Sequence, residues 1–105
     1  MAQANRPETV RISIDPDLRD FIPGFLHNKR RDIQTLLDAI AVGDFATIGT
    51  LGHRMRGDGG GYGFSMISEI GRDLEMFALE RKTPNITVSV QALTMYLDCI
   101  EVVYE

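Results

Sequence analysis

Apolar residues recur every three or four positions over most of this chain, which is the spacing of one face of an α-helix. Four long stretches carry the pattern, and short runs containing glycine, proline or charged residues separate them. These stretches begin near Gly24, Phe45, Ser65 and Thr83. Helices joined by such short connections pack against their chain neighbours in opposite directions. The pattern therefore predicts an all-α protein, an antiparallel up-down four-helix bundle.

Signals near the N-terminus predict a short extra helix ahead of the bundle. Asp15 can cap a helix, and the proline after it occupies the first helical position without sacrificing a hydrogen bond. A proline and a glycine follow Ile22 and end this helix early. We expect residues 1–12 to be a flexible N-terminus and residues 13–105 to form the bundle domain.

Each long stretch has an expected buried stripe. The stripes are Leu26, Ile33, Leu37 and Ile40, then Phe45, Ile48, Leu51, Met55 and Tyr62, then Ile67, Ile70, Leu74 and Phe77, and last Ile86, Val90, Leu93, Leu97 and Ile100. We expect Gly43 to end the first long helix and Asp44 to cap the second. The last stretch opens with ITVSV, whose alternating β-branched residues also suit a strand. Its spacing continues over four turns, which favours a helix.

The stretch 49-GTLGHRMRGDGGGYGF-64 holds seven glycines in sixteen residues. A phosphate-binding loop would need glycines at relative positions 1, 3 and 6, and no starting glycine here satisfies that spacing. A flexible linker is also excluded, because Met55 and Tyr62 continue the apolar stripe through it. The glycines therefore belong to a helix.

A helical wheel separates these glycines into two groups. With Ile48 at the centre of the buried face, Gly52 and Gly59 fall within about 40° of it, where they let another helix approach closely. His53 falls at about 140°, on the solvent side. Its neighbours at helical spacing are all small: Ala46, Gly49, Thr50, Gly57 and Gly60. We expect a bare helical surface on which the imidazole stands alone and a broad partner can reach it.

The residues around His53 also match a known pattern. The histidine begins the run H-R-M-R-G, a further glycine follows at Gly63, and a hydrophobic run ends in L-E at Leu74-Glu75. This resembles the histidine-containing phosphotransfer domain, whose pattern is His-x-Leu-Lys-Gly, a later glycine and then an amphipathic helix. The resemblance covers the chain from about Ile14 to the C-terminus in helix order and length.

The resemblance implies a role for each matching position. His53 would accept the phosphoryl group, and Arg56 would stabilise it from the position where the family usually has lysine. Gly57 and Gly63 match the two glycines, and Met55 takes the core position of the usual leucine. Arginine keeps the positive charge of lysine but changes its geometry.

The implied function is that of a phosphoprotein in a two-component phosphorelay. Such a carrier has no ATP-dependent kinase activity and binds no cofactor of its own. Its partners would be a sensor histidine kinase and a response-regulator receiver domain, which would supply the aspartate and Mg²⁺. We expect the docking surface to comprise Gly49, Thr50, Gly57 and Gly60, with Lys29 and Arg30 steering an acidic partner.

Two other function classes remain open. One is a helical docking module that binds a receiver or kinase domain without being phosphorylated. The other is a carboxylate-bridged metal bundle, which needs Glu-x-x-His spacing. Thr50 and Gly24 stand three residues before the two histidines, so the metal hypothesis has little support. His27 lacks comparable surroundings and is expected to be structural or solvated.

Composition and charge limit the partners and compartments that we expect for this protein. The formal net charge of −4 and the pI near 5.1 argue against nucleic acid as the main partner. No apolar run approaches the roughly 20 residues of a membrane span. Cys99, the one cysteine, fits a reducing compartment and is expected to be a small buried hydrophobe. We expect a cytoplasmic monomer, and 105 residues starting at Met favour a free-standing shuttle over a kinase-linked domain.

Overall fold

A computed structural model of the chain describes residues 9–105. Its elements, in chain order, are β1 (Val10–Ile14), a 3₁₀ turn (Pro16–Leu18), α1 (Ile22–Val42), α2 (Phe45–Gly61), α3 (Ser65–Leu79), α4 (Thr83–Cys99) and β2 (Ile100–Tyr104). The protein is mostly helical, and its four long helices are those that the apolar spacing predicts. The segment ITVSV lies within α4, so the helical interpretation of that stretch is confirmed.

The N-terminal helix expected after Asp15 is not confirmed, because only a single 3₁₀ turn forms there. Pro23 does not interrupt the chain as expected. It lies in the first turn of α1, where the missing N–H would have had no helical partner in any case. The first long helix therefore begins at Ile22, two residues earlier than expected.

Two short strands, which the helical spacing of three and four residues does not predict, join the two ends of the helical region. β1 and β2 pair in parallel, with Val10 opposite Ile100 and Ile14 opposite Tyr104. Ile14 is buried in the core, which anchors the pair to the helices. Of the N-terminus that was expected to be flexible, residues 1–8 lie outside the described residues. Residues 10–12 belong to β1, so the expectation is wrong for them.

The buried face of α1 differs from the expected stripe. Its buried residues include Phe25, Lys29, Leu36 and Ala39, whereas Leu37 is 45% exposed. A lysine thus lies within the buried stripe, and a pattern of apolar letters alone misplaces the face. The expected stripes of the other helices hold at their centres, where Ile48, Leu51, Met55, Ile67, Ile70, Leu74, Ile86, Val90, Leu93 and Leu97 are all buried.

The turn between α1 and α2 follows its local chemistry. Gly43 has φ of +69° and ends α1, and Asp44 caps α2 by accepting a hydrogen bond from the backbone N–H of Thr47 at 3.1 Å. The Thr47 hydroxyl donates to the other carboxylate oxygen at 2.6 Å. The Thr47 hydroxyl, and after it the Thr47 backbone N–H, lower the pKa of Asp44, because both bonds favour the ionised carboxylate. Both the expected end and the expected cap are confirmed.

Glycines let α2 and α3 approach one another at backbone distance. A Cβ atom added to Gly52 would lie 2.7 Å from the Gly71 carbonyl oxygen, and one added to Gly59 would lie 2.5 Å from the Ser68 nitrogen. A Cβ on Gly71 would in turn lie 2.5 Å from the Arg56 nitrogen. The buried role expected for Gly52 and Gly59 is confirmed. This approach brings the side chains at the α2–α3 seam into direct contact.

No helix within residues 9–105 combines the length and apolar character that crossing a membrane requires.

Candidate functional site

His53 projects from the middle of α2 into solvent, with 66% of its side chain exposed. The wheel-based placement of this residue is confirmed. One turn further along, Gly57 is exposed and a Cβ there would meet open space, while a Cβ on Gly60 would approach only the Ser68 hydroxyl, at 3.9 Å. The exposed surface of α2 beyond His53 is therefore bare, as the sequence predicts.

The imidazole does not stand alone, and that expectation is wrong. Glu75 reaches across from α3, and its Oε2 lies 3.0 Å from Nδ1 of His53. Only 28% of the Glu75 side chain is exposed, so the carboxylate lies at the bottom of the seam beneath the imidazole. The contact exists because Gly52 and Gly71 allow the two helices to approach closely at this level.

Arg56 contacts the same carboxylate. Its guanidinium nitrogen lies 3.2 Å from Oε1 of Glu75, while half of the arginine side chain stays exposed. The pair is within ion-pair distance, but its angles do not make a hydrogen bond. Oε1 is a buried oxygen that has no hydrogen-bond donor among residues 9–105. The Ser68 hydroxyl donates to the Arg56 carbonyl and so ties α3 to this turn of α2. Glu75 is thus shared by a histidine and an arginine.

The arrangement fixes the proton on the imidazole. An ionised carboxylate can only accept hydrogen bonds, so Nδ1 must donate to Glu75. In a neutral imidazole the other nitrogen, Nε2, then carries a lone pair. The histidine side chain is mostly exposed, so this nitrogen is available to a partner molecule. The site presents a nucleophilic nitrogen with a carboxylate behind it and a cation beside it.

A concavity of about 540 Å³ extends from His53 along the seam between α2 and α3. Gly49 and Thr50 line it, as do Ala46 and Ala78. Its far end is formed by Phe45, Leu79 and Arg81. The sequence-based docking residues Gly49 and Thr50 therefore share a surface with His53.

The proposed basic docking residues of α1 do not share that surface. Lys29 is buried, with 3% exposure, and its ammonium pairs with Asp32 at 2.9 Å and lies 5.3 Å from the Phe25 ring centroid. Arg30 pairs with Asp98 at 3.0 Å and donates to the Leu97 carbonyl oxygen at 2.9 Å. The expected steering role is therefore wrong for Lys29, whose charge is buried and paired with Asp32. Arg30 joins α1 to the end of α4, and its steering role stays a prediction.

A second groove, of about 630 Å³, lies between α1 and α2. Lys29, Arg54 and Asp58 line it, and none of the three lines the concavity at His53. Arg54 and Asp58 therefore belong to a different surface of α2 from His53. His27 is exposed and lines neither space.

Gly63 has a structural role in setting the site. Its φ is +92°, a left-handed conformation that favours glycine, and a Cβ there would lie 2.9 Å from Cδ1 of Ile14. Phe64, next in the chain, is fully buried and stacks on Phe25 with ring centroids 5.5 Å apart. This turn fixes where α3 begins, and therefore which α3 residue lies opposite His53.

Residues 9–105 hold no group of three or more histidine, cysteine, aspartate or glutamate side chains placed to bind a metal ion. Scans against protein-family models, curated proteins and solved structures gave no match to this chain.

Glu75 and Gly71 are the site residues that sequence reasoning missed. Glu75 belongs to the quoted L-E pair, but its contact with His53 depends on the register of α2 against α3. Gly71 lies in the stripe of α3, between Ile70 and Leu74, and it faces Gly52 across the seam. A glycine on the buried face of each of two neighbouring helices was the available signal, because such a pair marks a close crossing.

Proposed function

We propose that the protein is a phosphoryl carrier of a two-component phosphorelay. His53 accepts the group on Nε2 from an aspartyl phosphate of a response-regulator receiver domain and can pass it back to an aspartate. The observation that carries this proposal is the contact between Nδ1 of His53 and Glu75, because it leaves the lone pair on the exposed nitrogen. The resemblance of the H-R-M-R-G segment to the histidine phosphotransfer pattern gives independent support.

The transfer step balances with the groups present. Nε2 attacks phosphorus, the new N–P bond forms, and the bond from phosphorus to the aspartate oxygen breaks as the carboxylate leaves. Since Nδ1 keeps its proton, positive charge develops on the ring, and the Glu75 carboxylate stabilises that charge at 3.0 Å. In the reverse direction the positive charge on the ring assists transfer to an aspartate, because the ring then leaves phosphorus as a neutral imidazole.

Arg56 is the residue assigned to the phosphoryl oxygens. It lies three positions after His53 on α2, so the two side chains emerge from neighbouring points of the helix. Half of its side chain is exposed, which leaves the guanidinium free to turn from Glu75 towards a group on Nε2. A guanidinium donates charge-assisted hydrogen bonds to phosphate oxygens in a forked geometry. The chain itself would need no ATP site, and Mg²⁺ would belong to the receiver domain.

The proposal includes the direction in which the helices pack. The contacts of α2 with α3 run in opposite chain order, with residue 49 against 78, 52 against 71 and 75, and 59 against 64 and 68. Together with the short connections, this order supports an antiparallel up-down bundle.

We place the carrier in the cytoplasm as a monomer, where receiver domains and the catalytic parts of histidine kinases would meet it. Gly49, Thr50, Gly57 and Gly60 form the surface on which the receiver domain would rest.

Phosphate incorporation tests the proposal. The protein is incubated with receiver domains phosphorylated on aspartate, and separately with phosphoramidate, a small phosphodonor that needs no docking surface. The product is tested for acid-labile, base-stable phosphate and mapped by mass spectrometry. We expect label on His53 that is lost in His53→Gln and kept in His27→Gln, a matched control for an exposed histidine. Receiver complexes that form without any label would instead support the unphosphorylated docking module.

A further inference from the structure

Arg81 adopts a backbone conformation that its side chain does not favour. Its φ is +55°, the only positive value for a residue other than glycine among residues 9–105. The residue ends α3 in a turn where its N–H bonds the Ala78 carbonyl at 3.2 Å and the next N–H bonds the Phe77 carbonyl at 3.0 Å. Glycine is the usual occupant of such a helix end because it adopts this conformation without strain. The arginine side chain therefore calls for an explanation beyond the turn.

The side chain lies over the far end of the concavity that begins at His53. Its guanidinium carbon is 5.7 Å from the centroid of the Phe45 ring, so the aromatic face holds it at the rim. Within residues 9–105, no carboxylate lies within ion-pair distance of it. The chain as a whole is acidic, yet this end of the concavity carries a positive charge whose ionic partner is not among those residues.

An apolar surface lies beside that charge. Leu79 is 83% exposed although it lines the concavity, and it is the most exposed of the large hydrophobic residues described. Next to Leu79, the bottom of the concavity is lined by small residues that pack closely. A Cβ on Gly49 would lie 3.6 Å from Cβ of Ala78. An apolar side chain entering here would touch leucine, alanine and the Phe45 ring. An arginine beside an exposed leucine fits an apolar residue flanked by a carboxylate.

We propose that Phe45, Leu79 and Arg81 form a second anchor for the receiver domain, which binds an apolar side chain and an adjacent carboxylate of that partner. The inference rests on the proposed function, because the receiver domain that reacts at His53 is also the occupant of this anchor. Phe45 lies eight residues before His53 on α2, so anchor and reacting nitrogen are about 12 Å apart along the helix. Arg81 touches neither the phosphoryl group nor the imidazole, so it acts as a specificity-determining residue.

The backbone strain supplies a test in which stability and function move in opposite directions. Arg81→Gly removes the side chain and relieves the left-handed strain, so its melting temperature should rise by about 3 °C. The same variant should lose affinity for the receiver domain and transfer phosphoryl groups more slowly. A residue with a purely structural role at this turn would not show that combination.

Reversing the charge of Arg81 gives a second test of the anchor. Arg81→Glu should lower the rate constant for transfer from a phosphorylated receiver domain about tenfold at low salt, with a smaller loss at 0.5 M salt, because the interaction lies at a solvated rim. Arg31→Glu is the matched control, since it makes the same charge change at an exposed arginine of the α1–α2 groove. It should leave transfer within about twofold of the wild type, as expected for a charge outside the contact. Labelling of His53 by phosphoramidate should be equal in all these proteins.

The outcomes separate the two proposals. Wild-type transfer by Arg81→Glu would overturn the anchor and leave the phosphoryl carrier intact. Receiver binding that depends on Arg81, measured by calorimetry, without any label on His53 would support the anchor and overturn the carrier. A panel of receiver domains that neither binds nor phosphorylates the wild-type protein would overturn both.

Discussion

Nδ1 of His53 on α2 lies 3.0 Å from Oε2 of Glu75 on α3, so a side-chain hydrogen bond joins the two helices at the surface of the protein. The bond determines which imidazole nitrogen holds the proton and which faces solvent. Its consequence is chemical rather than structural, because the histidine is mostly exposed and adds little buried area to the fold. Five predictions follow from this contact, from the packing of the helices and from the cap of α2.

Replacing Glu75 by alanine should slow phosphoryl acceptance while the fold persists. Without the carboxylate the imidazole proton moves between both nitrogens, and the cationic ring formed on attack loses its stabilising charge. We expect a drop of about tenfold to a hundredfold, the range found when a carboxylate that orients a functional histidine is removed. Initial rates of labelling by phosphoramidate measure it, and ¹⁵N chemical shifts of the His53 ring report the tautomer.

Glu69→Ala is the control for this change, because Glu69 is an exposed carboxylate of the same helix that lines neither groove. It should leave both the labelling rate and the ring shifts at wild-type values. An unchanged labelling rate in Glu75→Ala would show that the carboxylate does not assist the transfer.

The glycines of α2 should divide into two classes when each is changed to alanine. Gly57→Ala should raise the free energy of unfolding by roughly 0.5–1 kcal/mol, because its Cβ meets open space and alanine favours the helix. Gly52→Ala should lower it by about 3 kcal/mol, because its Cβ would collide with the backbone of α3. Urea unfolding of both variants distinguishes the classes. Equal changes in the free energy of unfolding would contradict the close approach of α2 and α3 at Gly52.

A bulky residue at the exposed glycines should act on docking instead. Gly57→Leu or Gly60→Leu should keep the wild-type melting temperature to within a few degrees, yet slow transfer from a phosphorylated receiver domain. Labelling by phosphoramidate should be unaffected, since that donor needs no broad surface. A variant that accepts phosphate from the receiver at the wild-type rate would show that the bare face is not the docking surface.

Removing the partner of Lys29 should destabilise the fold more than removing a surface partner. Asp32→Ala leaves an ammonium that is nearly fully buried without its carboxylate, which should cost about 2 kcal/mol after allowance for the partial exposure of Asp32. Asp98→Ala breaks an exposed pair and should cost about 0.5 kcal/mol. Chemical denaturation compares the two variants. The double variant Lys29→Met with Asp32→Leu should recover most of the loss, and failure to recover would implicate a contact other than the ion pair.

The cap of α2 should make stability depend on pH in one direction. Its hydrogen bonds with Thr47 lower the pKa of Asp44 in the folded state, so the cap stabilises the fold fully above the unfolded-state pKa of about 3.9. That stabilisation is lost as the pH falls through the lower folded-state pKa. The melting-temperature difference between wild type and Asp44→Ala should therefore be larger at pH 7 than at about pH 2. A difference of the same size at both pH values would contradict the ionised cap.

Local chemistry predicted the parts of the fold that depend on neighbours in the chain. Gly43 and Asp44 were identifiable because a left-handed residue and a side-chain cap act within a few residues. His53 was placed on the solvent face because helical periodicity alone sets that angle. The position of Arg56 close to His53 likewise follows from the spacing of three residues between them.

Long-range contacts were beyond such reasoning. Glu75 meets His53 only because Gly52 and Gly71 let the seam close, and its own stretch does not encode the register. Lys29 looks like a surface residue by type, but its aliphatic stem packs inward while Asp32 neutralises the ammonium. The strand at residues 10–14, VRISI, does alternate apolar and polar residues, which is a strand signal that the helical interpretation passed over. Its pairing could not be predicted from neighbouring residues, because the partner strand lies at residues 100–104.

The pairing of β1 with β2 also dictates the order in which the molecule can be completed. Val10 is among the first described residues that a ribosome would synthesise, yet its partner Ile100 emerges only after all four helices. Until then Ile14 lacks the strand beside it, and its side chain can only approach a partly formed core. The helices rely mainly on contacts between residues close in sequence, whereas the parallel ladder joins the two ends of the described chain. A ribosome stalled before residue 100 would therefore hold a chain in which β1 has no strand to pair with.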